Sequence, residues 1–154
     1  MKSPSLLFVC LGNICRSPLA EAAFRVEAER AGVAALADSA GTGDWHLGEP
    51  PDPRARAEAL RHGIDISDLR ARQVAADDFL RFDHVLALDA KNLADLRRIR
   101  PPNGVAKLSL LLDHVPGMAG RSVADPYWGG ADDFAATWAE VTRAAQALVA
   151  MLRR

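Results

Sequence analysis

A continuous apolar run at residues 6–10, Leu-Leu-Phe-Val-Cys, predicts a strand covered on both faces of a sheet. Gly12 and Asn13 break its regularity. Ser17-Pro18 then opens a helix, with serine as a good N-cap and proline well placed at the first helical position. Glu21 is expected to close a capping arrangement or to face the positive helix end. The helix runs through Ala22, Ala23, Phe24 and Val26 and stops near Gly32. Residues 34–38 read as a second strand and residues 39–51 as a long loop with Trp45 and His46 near its middle. Asp52-Pro53 repeats the cap-then-proline signal and starts a helix that ends at His62-Gly63. Residues 82–88 form a third strand, residues 90–99 a helix that Pro101-Pro102 terminates, and residues 105–112 a fourth short strand or a tight turn. A second long loop, 113–130, precedes the last helix, which Asp132 or Asp133 is expected to cap. Phe134, Trp138, Val141, Ala145, Leu148 and Leu152 follow helical spacing there. The chain shows no internal repeat and no low-complexity tract, and residues 1–154 read as one domain.

Strands alternating with helices imply an α/β fold: a three-layer α/β/α sandwich on a central four-stranded parallel sheet, doubly wound and flavodoxin-like. In such folds the ligand sits beyond the carboxyl ends of the strands, where the loop after Cys10 lies.

Composition narrows the function. With 19 basic against 20 acidic residues and a net charge of −1, neither nucleic acid nor an anionic membrane is expected as the main partner. The two cysteines, Cys10 and Cys15, are no disulfide framework, and with four histidines they make no zinc pattern, so no metal and no cofactor is expected. Reduced cysteines suggest the cytoplasm. The apolar run at residues 6–11 is too short for a signal peptide or a membrane span.

The chemistry lies in residues 10–17, Cys-Leu-Gly-Asn-Ile-Cys-Arg-Ser. A nucleophile at the end of a buried strand is held rigidly. The residues after it, Leu11, Gly12, Asn13, Ile14 and Cys15, can curl so that several backbone N–H groups point inward and bind an anion beside a helix N-terminus. Gly12 is expected to supply the backbone freedom, and Asn13 tolerates left-handed geometry. A positive field of this kind favours the reactive thiolate of a thiol at its centre. Arg16, six positions after Cys10, can close the ring and bind two phosphoryl oxygens with its planar fork. Ser17 can donate a hydrogen bond to the Cys10 sulfur. Expulsion of an alkoxide or phenoxide needs a general acid across the phosphate, and Asp125, stiffened by Pro126, is the candidate.

Residues 9–18, VCLGNICRSP, resemble the signature of low-molecular-weight protein tyrosine phosphatases. DSAGTG (38–43), HGI (62–64), RARQ (70–73), LALD (86–89) and ADPYWG (124–129) follow in the family's order and spacing. The resemblance implies hydrolysis of phosphotyrosine in proteins through a phosphocysteine, with Cys10 as nucleophile, Arg16 on the phosphate and Asp125 as acid and then base. It implies that Asn13 and Ser39 brace the loop, that Asp89 and Arg72 have supporting roles only, and that Trp45 carries the family's aromatic residue. With Tyr127 and Trp128, Trp45 would wall a slot for the phosphotyrosine ring. It further implies a reversible Cys10–Cys15 disulfide under oxidation, a phosphotyrosine-containing protein partner such as a bacterial tyrosine kinase, and a monomer or weak homodimer. A family histidine just before RARQ is replaced by Leu69, which breaks part of the bracing network. An arsenate reductase of the same fold needs a cysteine after Cys15, and none follows. A phosphoarginine phosphatase carries Thr where Ile14 stands. A non-catalytic phosphopeptide-binding module would lack the nucleophile or the acid.

Overall fold

The structure, a computed structural model, describes residues 2–154. Strands β1 (Ser5–Cys10), β2 (Leu36–Gly41), β3 (His84–Ala87) and β4 (Lys107–Leu110) form one parallel sheet in the order β2-β1-β3-β4. Helices α1 (Arg16–Ala31), α2 (Pro53–Arg61) and α5 (Ala131–Leu152) serve one core; α3 (Asp78–Arg81) and α4 (Ala90–Ile99) serve the other. This is the α/β architecture with helices on both sides of a four-stranded parallel sheet that the alternating pattern predicts.

β1 shows why its apolar run is continuous. Leu6, Phe8 and Cys10 point to the core shared with α1 and α5, whereas Leu7 and Val9 point to the core containing Phe79 of α3 and Leu96 of α4. Both faces are covered, so no polar alternation is needed. Each of these large side chains contributes about 2 kcal/mol by leaving water. Phe8 and Phe24 meet at a ring-centroid distance of 5.8 Å and tie β1 to α1.

Several boundaries differ from the sequence reading. β2 runs to Gly41, so Ser39, Ala40 and Gly41 belong to a strand rather than a loop. These are weak strand formers, but β1 pairs with them residue for residue up to Cys10 opposite Gly41, and that ladder overrides local preference. Residues 107–110 are a strand, and a 3-10 turn, Leu111–His114, follows it. The four-residue α3 is too short for periodicity to reveal. Asp52 caps α2 as expected, accepting the Arg54 amide at 2.8 Å. α5 starts at Ala131 with Gly130 in the cap position. Asp133 accepts the Gly130 amide at 2.9 Å from the third helical position, and Asp132 is exposed, so neither is the N-cap. A helix-terminal carboxylate is just as useful there, because it meets the same free amides.

β1 has β2 on one side and β3 on the other, so the chain's winding reverses at this strand. The crevice beyond its carboxyl end is therefore open between connections running in opposite directions. Cys10 stands at that end.

Candidate active site

The loop from Cys10 to Arg16 is held from outside. The carbonyl of Cys10 accepts the Thr42 amide at 2.9 Å, that of Leu11 the Gly43 amide at 2.9 Å, that of Ile14 the Asp52 amide at 2.9 Å and that of Cys15 the Leu19 amide at 3.3 Å. In a trans peptide the N–H points opposite to the C=O. Turning four carbonyls outward therefore turns the amides of Leu11, Gly12, Cys15 and Arg16 toward the ring's interior. The Asn13 amide lies 3.3 Å from the Cys10 Sγ and donates to it. The result is a concave set of donors around one sulfur, at the start of α1.

The left-handed residue of the ring is Asn13, with φ of +58°. Gly12 does not have a positive φ; its role is space, since a Cβ there would stand 3.1 Å from the His46 ring. The tighter requirement is at Gly41. A Cβ on it would come within 2.7 Å of the Leu11 carbonyl oxygen, so β2 and the ring meet backbone to backbone. Gly41→Ala is expected to shift the ring and lower kcat/KM roughly a hundredfold, as misplacement of reacting groups does. Steady-state kinetics with an aryl phosphate checks this; near-normal kinetics would show that the ring tolerates the displacement.

Behind the sulfur lies a buried polar chain. Ser17 Oγ is 3.0 Å from the Cys10 Sγ. Asn13 Nδ2 donates to Ser17 Oγ at 2.8 Å and to Ser39 Oγ at 3.0 Å, while its Oδ1 accepts the Arg72 amide at 3.0 Å. Ser17 thus accepts from Asn13, and its own proton has two acceptors in reach, the Cys10 sulfur at 3.0 Å and the Ala40 carbonyl at 3.4 Å, the sulfur being the nearer. It is not the helix cap: α1 begins at Arg16, and Ser17 lies inside the first turn with its hydroxyl turned to Cys10. Ser39 donates to Glu21 Oε1 at 2.8 Å, and Arg25 pairs with the same carboxylate. Glu21 therefore ends this chain instead of closing a cap. Leu69 packs against the core, and the bracing reaches Asn13 through the Arg72 backbone.

Burial raises the pKa of Glu21 above its ordinary value of 4.5, and the bonds from Ser39 and Arg25 offset this only in part. The folded state thus favours the protonated carboxyl. That stabilisation is complete below about 4.5 and is lost as pH rises through the raised value. Glu21→Gln keeps an acceptor for Ser39 without this loss. Its melting temperature should rise relative to the parent protein as pH increases across that window, and a pH-independent difference would refute the linkage.

Arg16 is almost fully buried. Its guanidinium donates to Asp89 Oδ2 at 2.7 Å and to the Val123 carbonyl at 3.0 Å, and it lies 3.8 Å from Asp125 Oδ2. Burial works against its charge, but Cys10, Asp89 and Asp125 outweigh this and raise its pKa. Asp89 also caps α4, accepting the Asn92 amide at 2.7 Å. Val123 donates to the Leu88 carbonyl at 2.8 Å, which anchors the Asp125 loop on the end of β3. Asp125 itself accepts the Tyr127 amide at 3.1 Å.

These groups share one cavity of about 270 Å³. Cys10, Arg16 and the residues Leu11, Gly12, Ile14 and Cys15 form its floor and inner wall, and Asp125 stands at its side. Trp45, His46, Tyr127 and Trp128 form its mouth. Trp45 and Trp128 are 69% and 91% exposed, whereas Tyr127 is half-buried and meets Trp128 edge-on at 4.9 Å. The Trp45 ring lies across Gly43, where no side chain would leave room for it. Asn13, Ser17 and Ser39 stand behind the ring rather than in the cavity. Both cysteines are free, and burial followed by the negative charge of Asp52 pushes the Cys15 thiol far up, keeping it protonated.

The sequence reading missed His46 as a wall and Gly41 as a contact, whereas Asp89 has the supporting role expected of it, holding Arg16 from outside the cavity. The order of the strands places Asp89 there: β3 adjoins β1, so an acid just beyond β3 falls beside a cation just beyond β1.

A family model described as low molecular weight phosphotyrosine protein phosphatase matches residues 5–154. The chain is 48% identical over 151 residues to a low molecular weight protein-tyrosine-phosphatase of Streptomyces coelicolor, covering 95% of this chain and 92% of that protein. It is 45% identical over 136 residues to a low molecular weight phosphotyrosine protein phosphatase of Schizosaccharomyces pombe, covering 86% of each. Among solved structures, a protein tyrosine phosphatase from Entamoeba histolytica superposes with a TM-score of 0.91 at 34% identity, over 98% of this chain and 97% of that one.

Proposed function

The chain belongs to the low molecular weight phosphotyrosine protein phosphatase family, a family of enzymes that hydrolyse phosphate monoesters, and we propose the following roles for its residues in phosphotyrosine hydrolysis. Cys10 attacks phosphorus as the thiolate. The inward amides and Arg16 hold the three equatorial oxygens, where charge gathers in the transition state. The bond to the tyrosine oxygen breaks, and Asp125 gives that oxygen its proton. Water then attacks the phosphocysteine and loses a proton to the Asp125 carboxylate. The phosphorus–sulfur bond breaks, the sulfur leaves as thiolate stabilised by the Ser17 hydroxyl, and inorganic phosphate departs. The observation that carries this reading is the single cavity in which the Cys10 sulfur, the Arg16 fork and the Asp125 carboxylate converge.

p-Nitrophenyl phosphate should be turned over without added metal, and vanadate should inhibit. Ser17→Ala should leave the first step nearly intact and slow the second. A burst of p-nitrophenol followed by a steady rate about tenfold lower is the expected trace. A normal steady rate without a burst would remove Ser17 from the sulfur's departure.

Ile14, Trp45, Tyr127 and Trp128 support a deep slot with aromatic walls, which suits a phosphotyrosine ring better than a phosphoarginine side chain. A panel of phosphotyrosine, phosphoserine and phosphoarginine peptides tests this, and phosphotyrosine should react fastest. A reducing compartment such as the cytoplasm suits a thiolate nucleophile, and no described helix is long and apolar enough to cross a membrane. A phosphotyrosine-containing protein, such as a bacterial tyrosine kinase, is the partner this reading implies. Under peroxide, a sulfenic acid on Cys10 condenses with the Cys15 thiol to a disulfide and water, and a thiol reductant restores activity.

A further inference from the structure

Arg54 is a residue the reaction as described does not use. It sits in the first turn of α2, yet its side chain reaches out of that helix in two directions. Its Nε and one terminal nitrogen donate to the Asp52 carboxylate at 3.0 and 2.9 Å. Its other terminal nitrogen donates to the carbonyl of Gly129 at 3.0 Å, 75 residues away. Its planar face lies over the rings of Phe134 and Tyr127, at 4.7 and 5.5 Å from their centroids. Asp52 in turn donates its amide to the carbonyl of Ile14 at 2.9 Å. A continuous chain of contacts therefore runs from the ring around Cys10, through Asp52 and Arg54, to the turn that carries Asp125.

That turn is compact. Asp125 accepts the Tyr127 amide, and Gly129 donates to the Pro126 carbonyl at 2.9 Å. Its entry is fixed on β3 through Val123 and Leu88. Its exit is fixed at Gly129 by Arg54. Asp125 lies between these two anchors with its side chain substantially exposed, so its aim at the leaving oxygen depends on both.

We propose that Arg54 is a positioning residue for the general acid: its fork and face hold the 125–129 turn in register with the ring that carries the nucleophile. This rests on the assignment of Asp125 as general acid. A plain exposed pair between Arg54 and Asp52 would contribute almost nothing to stability or rate. The third donor on Gly129 and the coverage of two rings are what such a pair would not need.

The test compares kcat/KM for phenyl phosphate, whose leaving group needs a proton, with that for p-nitrophenyl phosphate, whose leaving group needs one far less. It uses Arg54→Met, Arg54→Lys and each of these combined with Asp125→Asn, with vanadate inhibition as the check on the ring. Both single variants should bind vanadate normally, lose about tenfold on phenyl phosphate and stay within about threefold on p-nitrophenyl phosphate. On the Asp125→Asn background neither should cause a further loss, because there is no acid left to position. Lysine keeps the charge but not the fork, so a lysine variant with the parent's leaving-group dependence would show a through-space charge effect and overturn the proposal. Equal losses on both esters, multiplying effects in the double variants, or loss of vanadate binding in both single variants would also overturn it. If Asp125→Asn alone leaves the ratio of the two esters unchanged, the acid assignment itself fails, and this inference falls with it.

Discussion

Cys10→Ser should reduce turnover of every phosphate monoester by at least about ten thousandfold while inorganic phosphate still binds. Binding survives because the ring is pinned through its carbonyls by Thr42, Gly43 and Asp52 and Arg16 is held by Asp89 and Val123, while a serine oxygen can still accept the Asn13 amide that the sulfur accepts now. Turnover does not, because a serine hydroxyl is far harder to ionise than a thiol and is a poorer leaving group in the second step. The other cysteine offers no rescue. Cys15 is buried, and that burial, reinforced by Asp52, keeps it in the thiol form. Undiminished turnover in the serine variant would eliminate the phosphocysteine route. Loss of phosphate binding along with turnover would mean that the sulfur, and not the carbonyl-pinned backbone, shapes the ring.

Asp125→Asn should lower kcat/KM by about a hundredfold to a thousandfold for phenyl phosphate and by much less for p-nitrophenyl phosphate. The contrast arises because kcat/KM reports the first chemical step, in which the acid matters in proportion to the basicity of the departing oxygen. The turnover number should fall for both esters, since the same carboxylate serves as base toward water in the second step. Asp125 is substantially exposed and close to Arg16, so asparagine fits the site without a buried charge being orphaned. A uniform loss in kcat/KM across leaving groups would assign Asp125 to holding the loop or Arg16, and another group would then be the acid.

How far these residues could be read from the chain differs by type of signal. β1 and the Asp52-Pro53 helix start were legible because buried apolar runs and helix caps are local. β2 was misplaced because Ser39, Ala40 and Gly41 are strand residues only by virtue of pairing with β1. Ser17 carried two readings, a cap and a partner of the Cys10 sulfur; the contact with the sulfur is present at 3.0 Å and the cap is not. Asp132 and Asp133 misled for a related reason, since a carboxylate one turn in can serve the cap amide from the third helical position. Cys10 and Arg16 were legible from one short motif. Asp125 and Asp89 were legible chiefly through the family resemblance and Arg54 not at all, because they act through contacts made 73 or more residues apart that only the folded chain brings about.

The most direct measurement is a rapid-quench experiment with a phosphotyrosine peptide, followed by proteolysis and mass analysis within the first turnover. The account predicts that the peptide containing Cys10 gains one phosphoryl group, on the Cys10 sulfur, and loses it at the steady-state rate. A phosphoryl group on Cys15 or any other side chain, or full turnover with no phosphorylated enzyme at any time, would contradict it.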